Sequence, residues 1–194
     1  MCFWGIVKCA LRMLLTESND KERRNMMDIT IRLAVPADAP DMAEVHMRSW
    51  EVAYKDIIPA EYIQEKNATR PALWKRIITD ENQYQCVILK DGKTIGIMCA
   101  VPTPQDDDVG DEVGELEGIY LHPDYYRRGI GTQAMEFAYD KARSWGKEEM
   151  IVWVFAENTN TIRFYEKCGF VADGKTKTYE VGKVMDSIRM RRDL

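Results

Sequence analysis

The chain has 194 residues, 45% of them hydrophobic, and a net charge of −5. That length and apolar content suit one domain with an ordinary core, and the acidic balance excludes nucleic acid as the main partner, which needs a broad basic surface. The cysteines Cys2, Cys9, Cys86, Cys99 and Cys168 are scattered without a Cys-x-x-Cys pair and there are only two histidines, so no metal site and no disulfide framework is expected, and a reduced, cytoplasmic setting fits.

Residues 1–27 differ from the rest. Met1 to Leu15 is apolar and sets Phe3, Val7, Ala10, Leu11 and Leu14 on one helical face, but Lys8 and Arg12 interrupt it. A secretory signal wants an unbroken apolar run and a small-residue cleavage site, and a membrane span wants about 20 apolar residues. Neither pattern is met, so no membrane partner is expected. The segment reads as an accessory extension, or as an amphipathic helix that docks on the domain or on a second subunit. The folded domain is expected over 28–194.

Ile29 to Leu33 alternates as a strand, and Asp38 to Tyr54 carries Met42, Val45, Ser49, Val52 and Ala53 at helical spacing. Pro59 and Pro71 are read as the starts of two further helical segments, the second with Leu73, Trp74, Ile77 and Ile78. Strands Gln85–Lys90 and Lys93–Val101 meet at Asp91-Gly92, a strong hairpin signal. Pro102 to Gly114 is a polar loop dense in acids and is expected to be solvated and mobile. Strand Glu115–Leu121, helix Thr132–Trp145 ending at Gly146, and strand Met150–Phe155 follow. A helix over Thr159–Lys167, capped by Asn158 or Asn160, leads to closing strands Phe170–Thr178 and Ser187–Arg192. The order βααβββαβαββ predicts an α/β (α+β) fold. Its central sheet is mixed and mostly antiparallel, with helices on both faces, and is not a doubly wound parallel sheet.

The stretch from Leu116 to Thr132 carries the chemistry. It reads as a strand, a basic turn with two glycines, and a helix. Backbone N–H groups of such a turn converge on one concavity, and the positive end of the helix adds to the field. Gly129 and Gly131 are expected to let the chain approach a bulky anion, with Arg127 and Arg128 at the rim. A pyrophosphate is the natural guest. A dinucleotide fingerprint lacks its third glycine and its acid on the next strand, and no Gly-Lys-Ser/Thr follows as a P-loop needs.

Arg127-Arg128-Gly129-Ile130-Gly131-Thr132 resembles the acyl-CoA pyrophosphate loop of the GNAT superfamily of N-acetyltransferases. Asn158-Thr159-Asn160-Thr161-Ile162-Arg163-Phe164-Tyr165-Glu166-Lys167-Cys168-Gly169-Phe170 is similar to that family's Asn-x-x-Ala-x-x-Phe-Tyr-x-x-x-Gly-Phe segment. Order and separation also match, and the resemblance covers residues 29–192. Tyr126 stands where the family usually has Gln or Arg, and Thr161 where it usually has Ala.

The resemblance implies acetyl-CoA as co-substrate and no metal. The Arg127–Thr132 loop would hold the pyrophosphate, and the Ile119, Tyr120 and Leu121 backbone the pantetheine arm. Gly118, poor for strand packing, would mark a bulge where the Ile119 N–H polarises the thioester carbonyl. Glu115 is the first candidate base and Glu117 the second, because an alkyl ammonium must lose its proton at a cost of about 4–5 kcal/mol at neutral pH. Tyr165 would protonate the departing thiolate, and Asn158 would bond pantetheine or cap its helix. Trp50, Tyr54, Tyr62 and Trp74 border the acceptor pocket or are core; His46 and His122 are weaker candidates, and Cys168 reads as a small buried hydrophobe. The implied reaction is direct attack of a primary amine of a small molecule or peptide on acetyl-CoA. Two alternatives stand beside it: acetylation of a protein N-terminus or lysine, and a non-catalytic acyl-CoA-binding sensor or subunit. The acidic loop is a candidate attractor for a cationic amine. The acceptor is left open, as is a homodimer through the closing strands or N-terminal helices.

Overall fold

A computed structural model describes residues 29–80 and 83–194, so the accessory extension read over 1–27, with its alternative of a docking amphipathic helix, lies outside the described residues. The elements are β1 (Ile29–Leu33), α1 (Ala39–Ala53), α2 (Ala60–Ile77), β2 (Tyr84–Lys90), β3 (Lys93–Val101), β4 (Val113–Leu121), α3 (Ile130–Ser144), β5 (Glu149–Phe155), α4 (Thr159–Lys167), β6 (Val171–Glu180) and β7 (Val184–Asp193). They form one sheet in the order β1-β2-β3-β4-β5-β7-β6. Every neighbouring pair is antiparallel except β4 with β5. The mixed, mostly antiparallel sheet inferred from the element order is therefore present.

Local chemistry explains the punctuation. Asp91 at φ 50 and Gly92 at φ 75 close the β2–β3 hairpin with the left-handed pair that such a turn demands. Helix α3 buries Ala134, Met135, Ala138, Tyr139 and Ala142 on one stripe and stops where Gly146 turns left-handed at φ 76.

The proline readings need one correction. Pro59 does precede a helix, but Pro71 starts none: it lies inside the continuous α2. Proline removes one intrahelical bond, here the one that would reach the Asn67 carbonyl. The helix persists because Ile63, Arg70 and Trp74 are buried on it, and tertiary packing outweighs the local cost.

Helices cover both faces. Met42, Ala43, Val45 and Trp74 pack with Val87 and Ile97 on one side. Met135, Ala138, Tyr139, Tyr165 and Phe170 pack with Met98, Leu116 and Val152 on the other. Among the described residues, no helix is long and apolar enough to cross a membrane. Ile151 on β5 is fully buried, so Ile151→Val should cost about 1 kcal/mol in urea unfolding, with acetyl-CoA affinity unchanged.

Candidate active site

The sheet comes apart at one place. Strands β4 and β5 pair only over Val113–Leu116 with Glu149–Val152. Beyond that, β4 keeps β3 and β5 keeps β7. The facing edges are free of each other, and a gap opens between them. A bulge sits at its mouth: Cys99 pairs with Gly118 and Ala100 with Leu116, which leaves Glu117 as the extra residue. A Cβ on Gly118 would lie 3.0 Å from the Tyr120 ring, so glycine makes room for that ring to fold back over the bulge. The His122 amide donates to the Ile95 carbonyl of β3 at 2.8 Å. Strand amides alternate sides, so those of Ile119 and Leu121 point away from β3, into the gap.

Past β4 the chain makes a 3-10 turn, Pro123–Tyr125, and enters the loop. Arg127 is left-handed at φ 58 and Gly129 at φ 77, immediately before α3 begins at Ile130. Left-handed residues in such a turn bring nearby amides toward one concavity, and the helix start adds its partial charge. The Arg127 and Arg128 side chains are exposed and do not fill it. Tyr126 turns inward, its hydroxyl 3.2 Å from Ser49 of α1. The two glycines differ in role. Gly129 supplies the positive φ, whereas a Cβ on Gly131 would meet the Phe164 ring at 3.1 Å. Gly131 therefore also serves the packing of α3 on α4.

Helix α4 brings the second motif to the same gap. Asn158 is its cap, buried, with Oδ1 accepting from the Thr161 amide at 3.2 Å. Asn160 is exposed inside the first turn. Tyr165 is only 4% exposed and packs against Phe164 and Phe170 at ring distances of 5.3 and 5.5 Å. Burial pushes its phenol above the ordinary value, with Tyr120 adding to it. It therefore keeps its proton at any working pH. Burial also raises the Cys168 thiol, which speaks against a nucleophilic thiolate there.

Near the Val101 end of β3 lies a groove of about 750 Å³ whose walls include Glu115, Glu117, Trp153, Lys177 and Tyr179. Burial pushes the Glu115 carboxyl up to about 7, with the charges of Glu117 and Asp106 adding to it. Glu117 is held from both sides: Oε2 accepts from the Cys99 thiol at 2.7 Å and Oε1 from Gln83 at 3.5 Å. The two glutamates thus open on one groove.

Asp107, Asp111 and Glu112 of the acidic loop are exposed, as expected of a solvated loop, but two of its acids are tied down. Asp106 accepts from the Trp153 indole at 2.9 Å and pairs with Lys177 at 2.5 Å. Asp108 pairs with Lys175 at 2.9 Å and with the buried Arg189 at 2.7 Å, and Arg189 also holds Asp173 at 2.6 Å. Strands β6 and β7 therefore supply the cations that pair Asp106 and Asp108.

The aromatic residues of α1 and α2 gather around His46. Trp74 donates to its Nδ1 at 3.2 Å, and the Tyr120 ring lies 4.5 Å away. Burial, then the nearby Arg70, pushes His46 down to about 3, so it is neutral and no proton acceptor for an ammonium. Tyr54 packs between Trp50 and Phe155 at 4.9 and 5.8 Å. His122 caps the 3-10 turn through Asp124. Sequence reasoning missed Arg70: nothing local marks it, and only the packing of α1 on α2 buries it.

Residues 40–170 match the acetyltransferase (GNAT) family. An uncharacterized N-acetyltransferase of Methanocaldococcus jannaschii is 28% identical over 73% of the chain, which spans 60% of that relative's length. The uncharacterized N-acetyltransferase YuaI of Bacillus subtilis is 29% identical over 71% of the chain and 78% of YuaI. Among solved structures, PaiA N-acetyltransferase of Thermoplasma acidophilum in complex with coenzyme A superposes with a TM-score of 0.71 at 22% identity, covering 87% of this chain and 100% of that one. YncA of Salmonella typhimurium with acetyl-CoA gives 0.62 at 20%, over 86% and 94%.

Proposed function

Because the chain belongs to the acetyltransferase (GNAT) family, we propose that it transfers the acetyl group of acetyl-CoA to a primary amine by direct attack. The observation that carries this is the end of β4–β5 pairing at Leu116 and Val152, beside a left-handed loop that opens α3. The coenzyme bound by PaiA and the acetyl-CoA bound by YncA support the choice of donor. The three described cysteines are free thiols, which suits a cytoplasmic setting.

The loop amides from Arg127 to Thr132 receive the pyrophosphate. The Ile119–Leu121 edge takes the pantetheine arm as a partial strand, and Asn158 borders it. The Ile119 N–H meets the thioester oxygen as charge develops, where one preorganised donor contributes about 3 kcal/mol. The amine enters from the groove. Glu115, with its raised carboxyl, removes its proton directly or through a water, and Glu117 is the adjacent carboxylate. The C–N bond forms, the C–S bond breaks, and the Tyr165 hydroxyl donates to the departing sulfur.

Because the Tyr165 phenol is raised, it stabilises the thiolate as a hydrogen-bond donor more than it surrenders a proton. Tyr165→Phe should therefore lower kcat by about 10-fold, with KM for acetyl-CoA little changed; an unaltered rate would return Tyr165 to a packing role. The overall test is release of the CoA thiol from acetyl-CoA across a panel of amines. Saturable acetyl-CoA binding with no turnover on any amine would favour a non-catalytic acyl-CoA-binding protein instead.

A further inference from the structure

A buried corner between α1 and α2 gathers more hydrogen-bond donors than acceptors. Arg70 is 3% exposed, and its guanidinium lies on the Trp50 ring at 4.2 Å. Nη1 donates to the Asn67 side chain. Among the described residues no carboxylate forms an ion pair with it. Glu51, the acid whose field reaches it, is exposed and already accepts from Asn67 at 3.0 Å and Arg48 at 3.2 Å.

His46 sharpens the deficit. The Trp74 indole can only donate, so His46 Nδ1 accepts and the ring proton sits on Nε2. That Nε2–H faces Arg70 Nη2 at 3.5 Å, donor against donor. Among the described residues Trp50 Nε1 is buried without a well-formed hydrogen bond, its nearby acceptor being the Tyr120 hydroxyl. Buried donors are almost always satisfied. The group that suits this set is planar, anionic and accepts only: a carboxylate.

The corner also stands in the right place. The Tyr120 ring stacks on His46 and folds back over Gly118, so one ring separates Arg70's neighbourhood from the bulge. Glu115 and Glu117 flank the bulge on the groove side. Pro71, next to Arg70, leaves the α2 ladder open at that turn.

We propose that the acceptor is an amine that also carries a carboxylate, an amino acid in its zwitterionic form, with its carboxylate held by Arg70, Trp50 Nε1 and His46 Nε2 and its ammonium toward Glu115 and Glu117. This rests on the acetyltransferase reading and names the substrate class of that site.

The test compares L-amino acids with their amides and decarboxylated amines, using the full chain and acetyl-CoA. The free carboxylates should show kcat/KM about 10- to 100-fold higher. Arg70→Gln should erase that preference through KM, and Arg70→Lys should restore part of it. Decarboxylated amines or polyamines that outrun amino acids in the wild type would overturn the proposal, with no variant needed. Calorimetric binding of the amino acids to the CoA-loaded protein separates the two readings. An amino acid that binds wild type at least 10-fold tighter than Arg70→Gln upholds the anchor even where turnover fails and the transferase reading falls. Equal binding, or none to either protein, overturns the anchor alone.

Discussion

Gly129→Val is expected to abolish measurable acetyl-CoA binding. The residue sits at φ 77 on the threshold of α3, and a β-branched side chain is an outlier there. Holding the left-handed form costs an L-residue about 1–2 kcal/mol. The loop relieves that cost by rotating its peptides, which turns the Gly129 and Ile130 amides away from the concavity. Several charge-assisted bonds to one pyrophosphate are lost together, so Kd should rise by at least about 100-fold. Titration calorimetry reads the affinity, and thermal unfolding of the unliganded variant should stay close to wild type. Unchanged affinity would mean that the phosphates lie elsewhere.

Glu115→Gln should lower kcat by about 10²- to 10³-fold with every acceptor whose amine is protonated at neutral pH. A carboxyl raised to about 7 is a usable base only once it has lost its proton. Wild-type kcat/KM should therefore climb through pH 7 and flatten above it. The acceptor's own ionisation lifts both enzymes alike, so the limb is read from the ratio of wild type to variant, which should grow up to about pH 7 and then level. The same shift has a stability side. A carboxyl whose folded pKa lies above its unfolded value favours the fold while protonated, and that contribution is lost as pH rises through about 7. Glutamine removes the loss. Above pH 7 the variant should melt no lower than wild type, which rules out unfolding as the reason for its slow turnover. An equal fall at all pH values would shift the base role to Glu117.

What was legible in the chain was what is encoded locally. The Asp91-Gly92 hairpin, the cap at Asn158 and the strand–turn–helix around Gly129 depend on neighbours a few residues apart, and all three are present. Misreadings arose where distant partners decide. Pro71 looked like a helix start, yet burial of Arg70 and Trp74 on either side carries α2 through it. Asp106 and Asp108 looked solvated, yet their cations come from strands at the other end of the chain: Lys177 and Arg189. The packing reason for Gly131 was illegible for the same cause, because the ring it makes room for, Phe164, belongs to a different helix. Arg70 carried no signal because its meaning is a shortage of acceptors, which exists only once α1 lies on α2.

The short β4–β5 contact has a mechanical consequence. Four consecutive pairs, Val113–Leu116 with Glu149–Val152, are the whole seam between a four-stranded bank and a three-stranded one. The protein's thinnest stitching therefore runs beside its reaction centre, and breathing of the two banks is concentrated along it. A coenzyme arm threaded beside Ile119–Leu121 acts as a splint, and part of its binding free energy goes into stiffening the scaffold that must aim the next acceptor.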